Sequence, residues 1–298
     1  MFRPLVVVAV AVALVTAGCG AGGDGGERTI NPALATTPTT TPTATPAPTY
    51  PPGVGPDGVD ARVLAGNHDR VLDRVNSTVR VERAVVDANG TTVSTTAIRI
   101  ESAGPRLRYR VNESGGLPDQ FVSPFPVFEF WTNGTVTATR SVDGDGNVTV
   151  RRIRGEPPTI AGADDTGEDS VFGAVVGTNA RLVDTRTVDG ETLYVVRADH
   201  EELDRRRGPP LRDYRLNATV TEAGVVLAYD LRFTATYDAD DGSSLTATTT
   251  ERFRAEVGGS AAAPPPWVDD RNASAVGDPD TADGESEPAG LGSALGGD

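Results

Sequence analysis

The chain of 298 residues contains no lysine, so all 27 of its basic residues are arginine. It has one cysteine, one methionine and two histidines, and aromatic residues make up only 5%. A single cysteine excludes a disulfide framework, so any folded domain must be held together by its core. The two histidines, His68 and His200, leave little material for a transition-metal centre. His200 lies beside Asp199, Glu201 and Glu202, which falls short of the ligand spacing such a site requires. Asp143-Gly144-Asp145-Gly146-Asn147 opens like a calcium loop, but Val148 stands where glycine is needed and Arg154 where glutamate is needed. No Gly-X-Ser-X-Gly elbow supports a hydrolase triad. The expectation is a protein with no catalytic residue, no metal and no cofactor. A run long enough to cross a bilayer is also missing near the start: Leu5 to Val15 is apolar for eleven residues, and about 20 are needed.

What is present around that run reads as an export signal. Arg3 supplies the positive start, Leu5 to Val15 the apolar core, and Ala17-Gly18 the small residues before a cut. Leu14-Val15-Thr16-Ala17-Gly18-Cys19 resembles the lipobox of prokaryotic lipoproteins. That resemblance implies a lipid on Cys19 and a membrane anchor on the extracellular face. The 42 acidic residues outweigh the arginines to give −15. In molar salt the Debye length is about 3 Å, so such self-repulsion is screened. An acidic, lysine-free composition therefore points to a halophilic archaeon. Nucleic acid is not expected as a partner, because phosphate contacts need a basic footprint.

Composition divides the chain into a signal peptide (1–18), the lipidated cysteine with a Thr/Pro-rich linker (19–58), a folded domain (59–270) and a disordered acidic tail (271–298). In the domain, Asp60 is placed to cap a helix bearing Val63, Leu64, Val71, Leu72 and Val75. Thereafter the period is two. Leu107, Tyr109 and Val111 alternate with arginines, and Val225 to Tyr237 alternates over a long strand. Asn89-Gly90, Asn133-Gly134, Asp189-Gly190 and Asp241-Gly242 mark hairpins between such runs. A second short helix is predicted over 168–178.

The pattern predicts an α+β domain: a strongly curved antiparallel sheet of about eleven strands, with two helices on its concave side. Two helices of about 10 Å diameter cannot cover eleven strands spaced about 4.8 Å apart. The remaining apolar face must curl, close on itself, pack on a second sheet or receive a ligand. This order of elements, the Cys19 anchor and the Pro264-Pro265-Pro266-Trp267 close of the domain resemble the LolA-like half-barrel of the LppX and LprG lipoproteins. More closely, the chain resembles an uncharacterised haloarchaeal surface lipoprotein family of that build. The resemblance implies a tethered, non-enzymatic binder of a lipid, isoprenoid or other hydrophobic ligand. The alternative is a cell-envelope interaction or structural module with a filled core.

Seven of the ten asparagines open an Asn-X-Ser/Thr sequon: Asn76, Asn89, Asn112, Asn133, Asn147, Asn217 and Asn272. They are candidates for surface N-glycosylation, or residues of turns and of a threonine-rich sheet. Arg205, Arg206 and Arg207 form the densest basic patch, candidate contacts for an anionic headgroup or partners of the nearby Glu201, Glu202 and Asp204. Phe121, Phe125, Phe128, Phe130 and Trp131 are the densest aromatic stretch, expected in the core or at a pocket rim.

Overall fold

Two strands of thirteen and fourteen residues, Val226–Asp238 and Ser244–Val257, set the scale of the fold, because alternation sustained that long makes one face of a sheet continuously apolar. A computed structural model describes residues 49–117, 125–154, 166–205, 208–238, 242–259, 262–269 and 274–275. Cys19, Arg206, Arg207, Phe121 and Asn272 lie outside the described residues, as do the signal peptide and the acidic stretch from 276 onward.

A small hairpin of β1 (Val54–Gly55) and β2 (Gly58–Val59) leads into helix α1 (Ala61–Leu72). Strands β3 (Ser77–Asp87), β4 (Thr92–Ala103), β5 (Arg106–Gly115), β6 (Val127–Thr132), β7 (Val136–Val142) and β8 (Val148–Arg154) follow as one meander. After helix α2 (Glu168–Val175), a second meander runs through β9 (Arg181–Val188), β10 (Glu191–Leu203), β11 (Leu211–Thr221), β12 (Val226–Asp238) and β13 (Ser244–Val257). The meanders join where β13 pairs antiparallel with β3, and β14 (Ser274–Ala275) adds parallel to β8. The result is an open half-barrel whose sheet ends at β14 on one side and β9 on the other. Bulges bend it: one in β11 puts Asp213 at φ +50° and lets both Leu211 and Tyr214 face inward.

Asp60 caps α1 as its sequence position predicts, accepting from the backbone N–H groups of Arg62 and Val63 at 3.0 Å. The buried stripe is shifted from the expected one. Leu64, Ala65, His68 and Leu72 face the sheet, while Val63 is exposed. The N–H of Val226 donates to His68 Nδ1 at 3.2 Å, so Nε2 carries the proton it donates to the Thr166 carbonyl at 3.0 Å. His68 is thus a neutral core residue. Helix α2 stops at Val175, two residues after Gly173, because Val176 turns extended and Gly177 adopts φ +74°. Inside, Phe253 is fully buried, stacked on Tyr229 at 5.0 Å and met edge-on by His68 at 5.6 Å.

Packing begins before residue 59: Val54 is buried, and the Thr49 carbonyl accepts from the Tyr194 hydroxyl at 2.9 Å. Gly53 allows this approach, since a Cβ there would lie 2.4 Å from the Leu64 nitrogen. At the other end the chain passes residue 270 and still pairs, through Ser274–Ala275. Before that pairing, Val268 packs with Trp131 and Ala138 on the outer face of the sheet, and Trp267 Nε1 donates to Glu129 at 2.9 Å.

Candidate functional site

On the inner face, the rows of side chains running across the strands change character with distance from the helices. The row Ile98, Val81, Phe253, Tyr229 is apolar and lies in the main core. One step further, Thr96, Arg83, Glu251 and Leu231 stand opposite one another. The next row is Ser94, Val85, Thr249 and Phe233. From that row outward, Val85 joins Leu117 and Ala247 in a separate small apolar cluster, with Tyr237 and Leu245 against it. The filled core therefore gives way to a polar band before apolar surface resumes.

A cavity of about 360 Å³ sits over that band. Its walls include Val85, Leu117, Leu211, Leu231, Phe233 and Tyr237, its polar floor Arg83, Glu251, Thr249, Ser94 and Thr96, and one side is α2 at Ser170, Gly173 and Ala174. The volume is that of small-molecule sites, and polar and apolar surface share the lining about equally. Two tyrosines of the sheet meet α2 over it. Tyr214 donates to the Ala174 carbonyl, and the Tyr229 hydroxyl, whose single proton goes to Glu251, lies 3.3 Å from the Ser170 carbonyl. Gly173 is the opening in this wall: a Cβ there would meet nothing within 4 Å. A mid-helix glycine costs about 1 kcal/mol relative to alanine, and here it leaves the cavity unfilled.

The floor is electrostatically organised. Arg83 binds Glu251 through Nε and Nη2, both at 2.6 Å, and Tyr229 donates to the same carboxylate. Glu251 is 4% exposed, whereas the Arg83 side chain is 51% exposed. Burial works against the Arg83 charge, but the facing Glu251 outweighs it and raises the guanidinium above its ordinary value. Burial first, then the Glu251 carboxylate, keeps the Tyr229 hydroxyl protonated far above the usual tyrosine range, and burial does the same for Tyr214. Thr249 Oγ1 is buried without a hydrogen-bond partner beside this pair.

The residues singled out in the sequence separate here. Arg205 lines the cavity, with Nη2 3.5 Å from the Gly173 carbonyl. Phe128 and Phe130 lie on the inner face of β6 but outside this cavity, and Trp131 faces the other way, into the Val268 cluster. His200 contacts the Thr178 carbonyl through Nε2 and stacks edge-on with Tyr214. Among the described residues no group of three or more His, Cys, Asp or Glu is placed to hold a metal. Likewise no helix among them is long and apolar enough to cross a membrane.

The sequons also divide. Asn76 and Asn89 are exposed. Asn112 and Asn217 stand on the outer face, where they accept from Arg110 and Arg197. Asn133 Oδ1 accepts from the N–H groups of Thr135 and Val136, which is turn chemistry. Asn147 spends its Nδ2 on Asp143 at 3.0 Å.

No family model and no curated protein matches the chain. Among solved structures, a DUF1329 family protein from Desulfovibrio piger matches at 12% identity over 66% of this chain and 90% of that one, with a TM-score of 0.22. At that score the likeness carries no argument about ligand or partner.

Proposed function

We propose that this chain is an extracellular lipoprotein, tethered to the membrane through Cys19, which holds a lipid, isoprenoid or other hydrophobic ligand in its half-barrel without catalysing a reaction. The observation that carries the reading is the cavity against α2, with Gly173 facing its open space. The polar band at Arg83, Glu251 and Thr249 further suits a ligand with one polar end and an apolar body. Export and tethering are supported by the Leu5–Val15 run and the small residues before Cys19.

The test is to fill the cavity from the helix. Gly173→Leu introduces a good helix former where a Cβ meets no atom within 4 Å, so the fold is expected to persist with its melting temperature unchanged or raised. Titration with a pyrene-labelled long-chain alcohol should then show at least about tenfold weaker binding, about 1.4 kcal/mol, than the wild-type chain. Native mass spectrometry of protein purified from its own host should show a bound ligand that the variant lacks. Equal binding by both proteins would reject the cavity as the site.

A second reading, a cell-envelope interaction module, is favoured by the filled core under the helices and by the arginine-bearing outer face. It predicts that Gly173→Leu changes nothing.

A further inference from the structure

A depression on the outer face of β10 to β13 reverses the charge balance of the chain. Five arginines, Arg197, Arg215, Arg232, Arg252 and Arg254, surround its volume of about 680 Å³, and Asp199 and Asp230 are the carboxylates of that face beside it. In a chain with 42 acidic residues against 27 basic ones, that concentration is not the average surface. Two carboxylates against five arginines neutralise it only in part. Asp230 serves two arginines, Arg254 at 3.1 Å and Arg252 at 3.6 Å. Arg197 has the amide oxygen of Asn217 at 3.2 Å. Arg215 and Arg232 stand directly opposite each other across β11 and β12; Asp199 faces Arg215 across β10 and β11, but among the described residues neither arginine has a carboxylate within ion-pair distance. Like charges placed opposite one another on a sheet face destabilise it unless something of the other sign lies between them.

We propose that this depression is a second binding site, for a phosphate-type oxyanion carried on a larger molecule. Arg215 and Arg232 grip the oxyanion from adjacent strands and Arg197 stands alongside. Guanidinium groups suit this task because their planar forks give two parallel hydrogen bonds to a tetrahedral oxyanion. The site lies on the opposite side of the sheet from the cavity, so it stands or falls independently of the ligand reading. Asn217 occupies the next row, between Arg197 and Asp230, and a sugar there would compete with the anion.

The experiment uses the full chain without sugar on Asn217, in the lowest salt at which circular dichroism shows the fold intact. Tripolyphosphate is titrated against the wild-type chain, Arg215→Gln/Arg232→Gln, Arg186→Gln and Gly173→Leu. Arg186 is an exposed control already paired with Asp184 at 2.8 Å. The double variant is expected to lose at least about tenfold in affinity, with the two other variants within about twofold of wild type and no variant melting below wild type. Binding should weaken as salt rises, because released counterions oppose it. A parallel arm sediments the proteins with phosphatidylglycerol vesicles. Arginine-dependent sedimentation identifies a lipid headgroup as the source, and tripolyphosphate binding without sedimentation identifies a soluble polyanion. Wild-type protein that binds neither probe, or binding that survives loss of both arginines, overturns the site.

Discussion

Phe253→Ala is expected to remove about 3–5 kcal/mol of stability, enough to leave a marginally stable domain largely unfolded. The side chain is fully buried at the junction of every layer: Tyr229 stacks on it, His68 of α1 meets its edge, and Val81 of the first meander faces it across the β13–β3 pair. Truncation leaves a void that these neighbours cannot fill, because each is fixed elsewhere. His68 is held by Val226 and Thr166, and Tyr229 by Glu251. Gly167 closes the remaining side, since a Cβ there would already lie 2.7 Å from the Phe253 ring. Denaturant unfolding, read as a drop in midpoint at constant slope, checks the prediction. Phe253→Leu should recover more than half of the loss. A change below about 1 kcal/mol for Phe253→Ala would mean that the two meanders are joined by the β13–β3 hydrogen bonds and not by this packing.

The parts of this fold legible in the sequence are those with short-range causes. Asp60 announces its helix, Asn-Gly and Asp-Gly pairs announce turns, and alternation announces strands and their two faces; Asn112 and Asn217 point outward as that alternation requires. The order of strands was not legible, because the join of β13 to β3 links residues more than 150 positions apart and no local pattern encodes it. His68 was missed as a core residue because its burial depends on two distant backbone groups, the Thr166 carbonyl and the Val226 N–H. The candidate site was half legible. Arg205 was found from its local charge density. Arg83 and Glu251 were not, although the sequence carries a signal for them. Val79, Val81, Arg83 and Val85 share one phase of β3, and Thr249, Glu251, Phe253 and Ala255 share one phase of β13. Opposite charges on the inward phase of two strands, each flanked by apolar residues, mark a pair facing the interior. Pairing the strands is what makes that signal readable.

Removing Arg83 should expose what the pair contributes. Arg83→Met leaves the Glu251 carboxylate, 4% exposed, with the Tyr229 hydroxyl and no facing cation. Breaking a fully buried pair costs about 3–5 kcal/mol. Because the Arg83 side chain is half exposed, water screens part of the interaction, and about 2–3 kcal/mol is expected here. The same principle predicts that Arg83→Met/Glu251→Met recovers most of that loss, since two apolar side chains of similar volume replace two charges that had to be desolvated. In the double variant Tyr229 has the Ser170 carbonyl to donate to, so its hydroxyl is not stranded. Unfolding curves of the wild type, both single variants and the double variant close the cycle. If the double variant is as stable as wild type, folding alone gives no reason for a charged pair in the cavity floor. Its role is then toward the ligand, and the double variant should bind a pyrene-labelled alkane as well as wild type does while losing affinity for the matching alcohol. A double variant no more stable than Arg83→Met would instead make the pair a structural requirement of the β3–β13 junction, and the polar band would no longer speak for a ligand with a polar end.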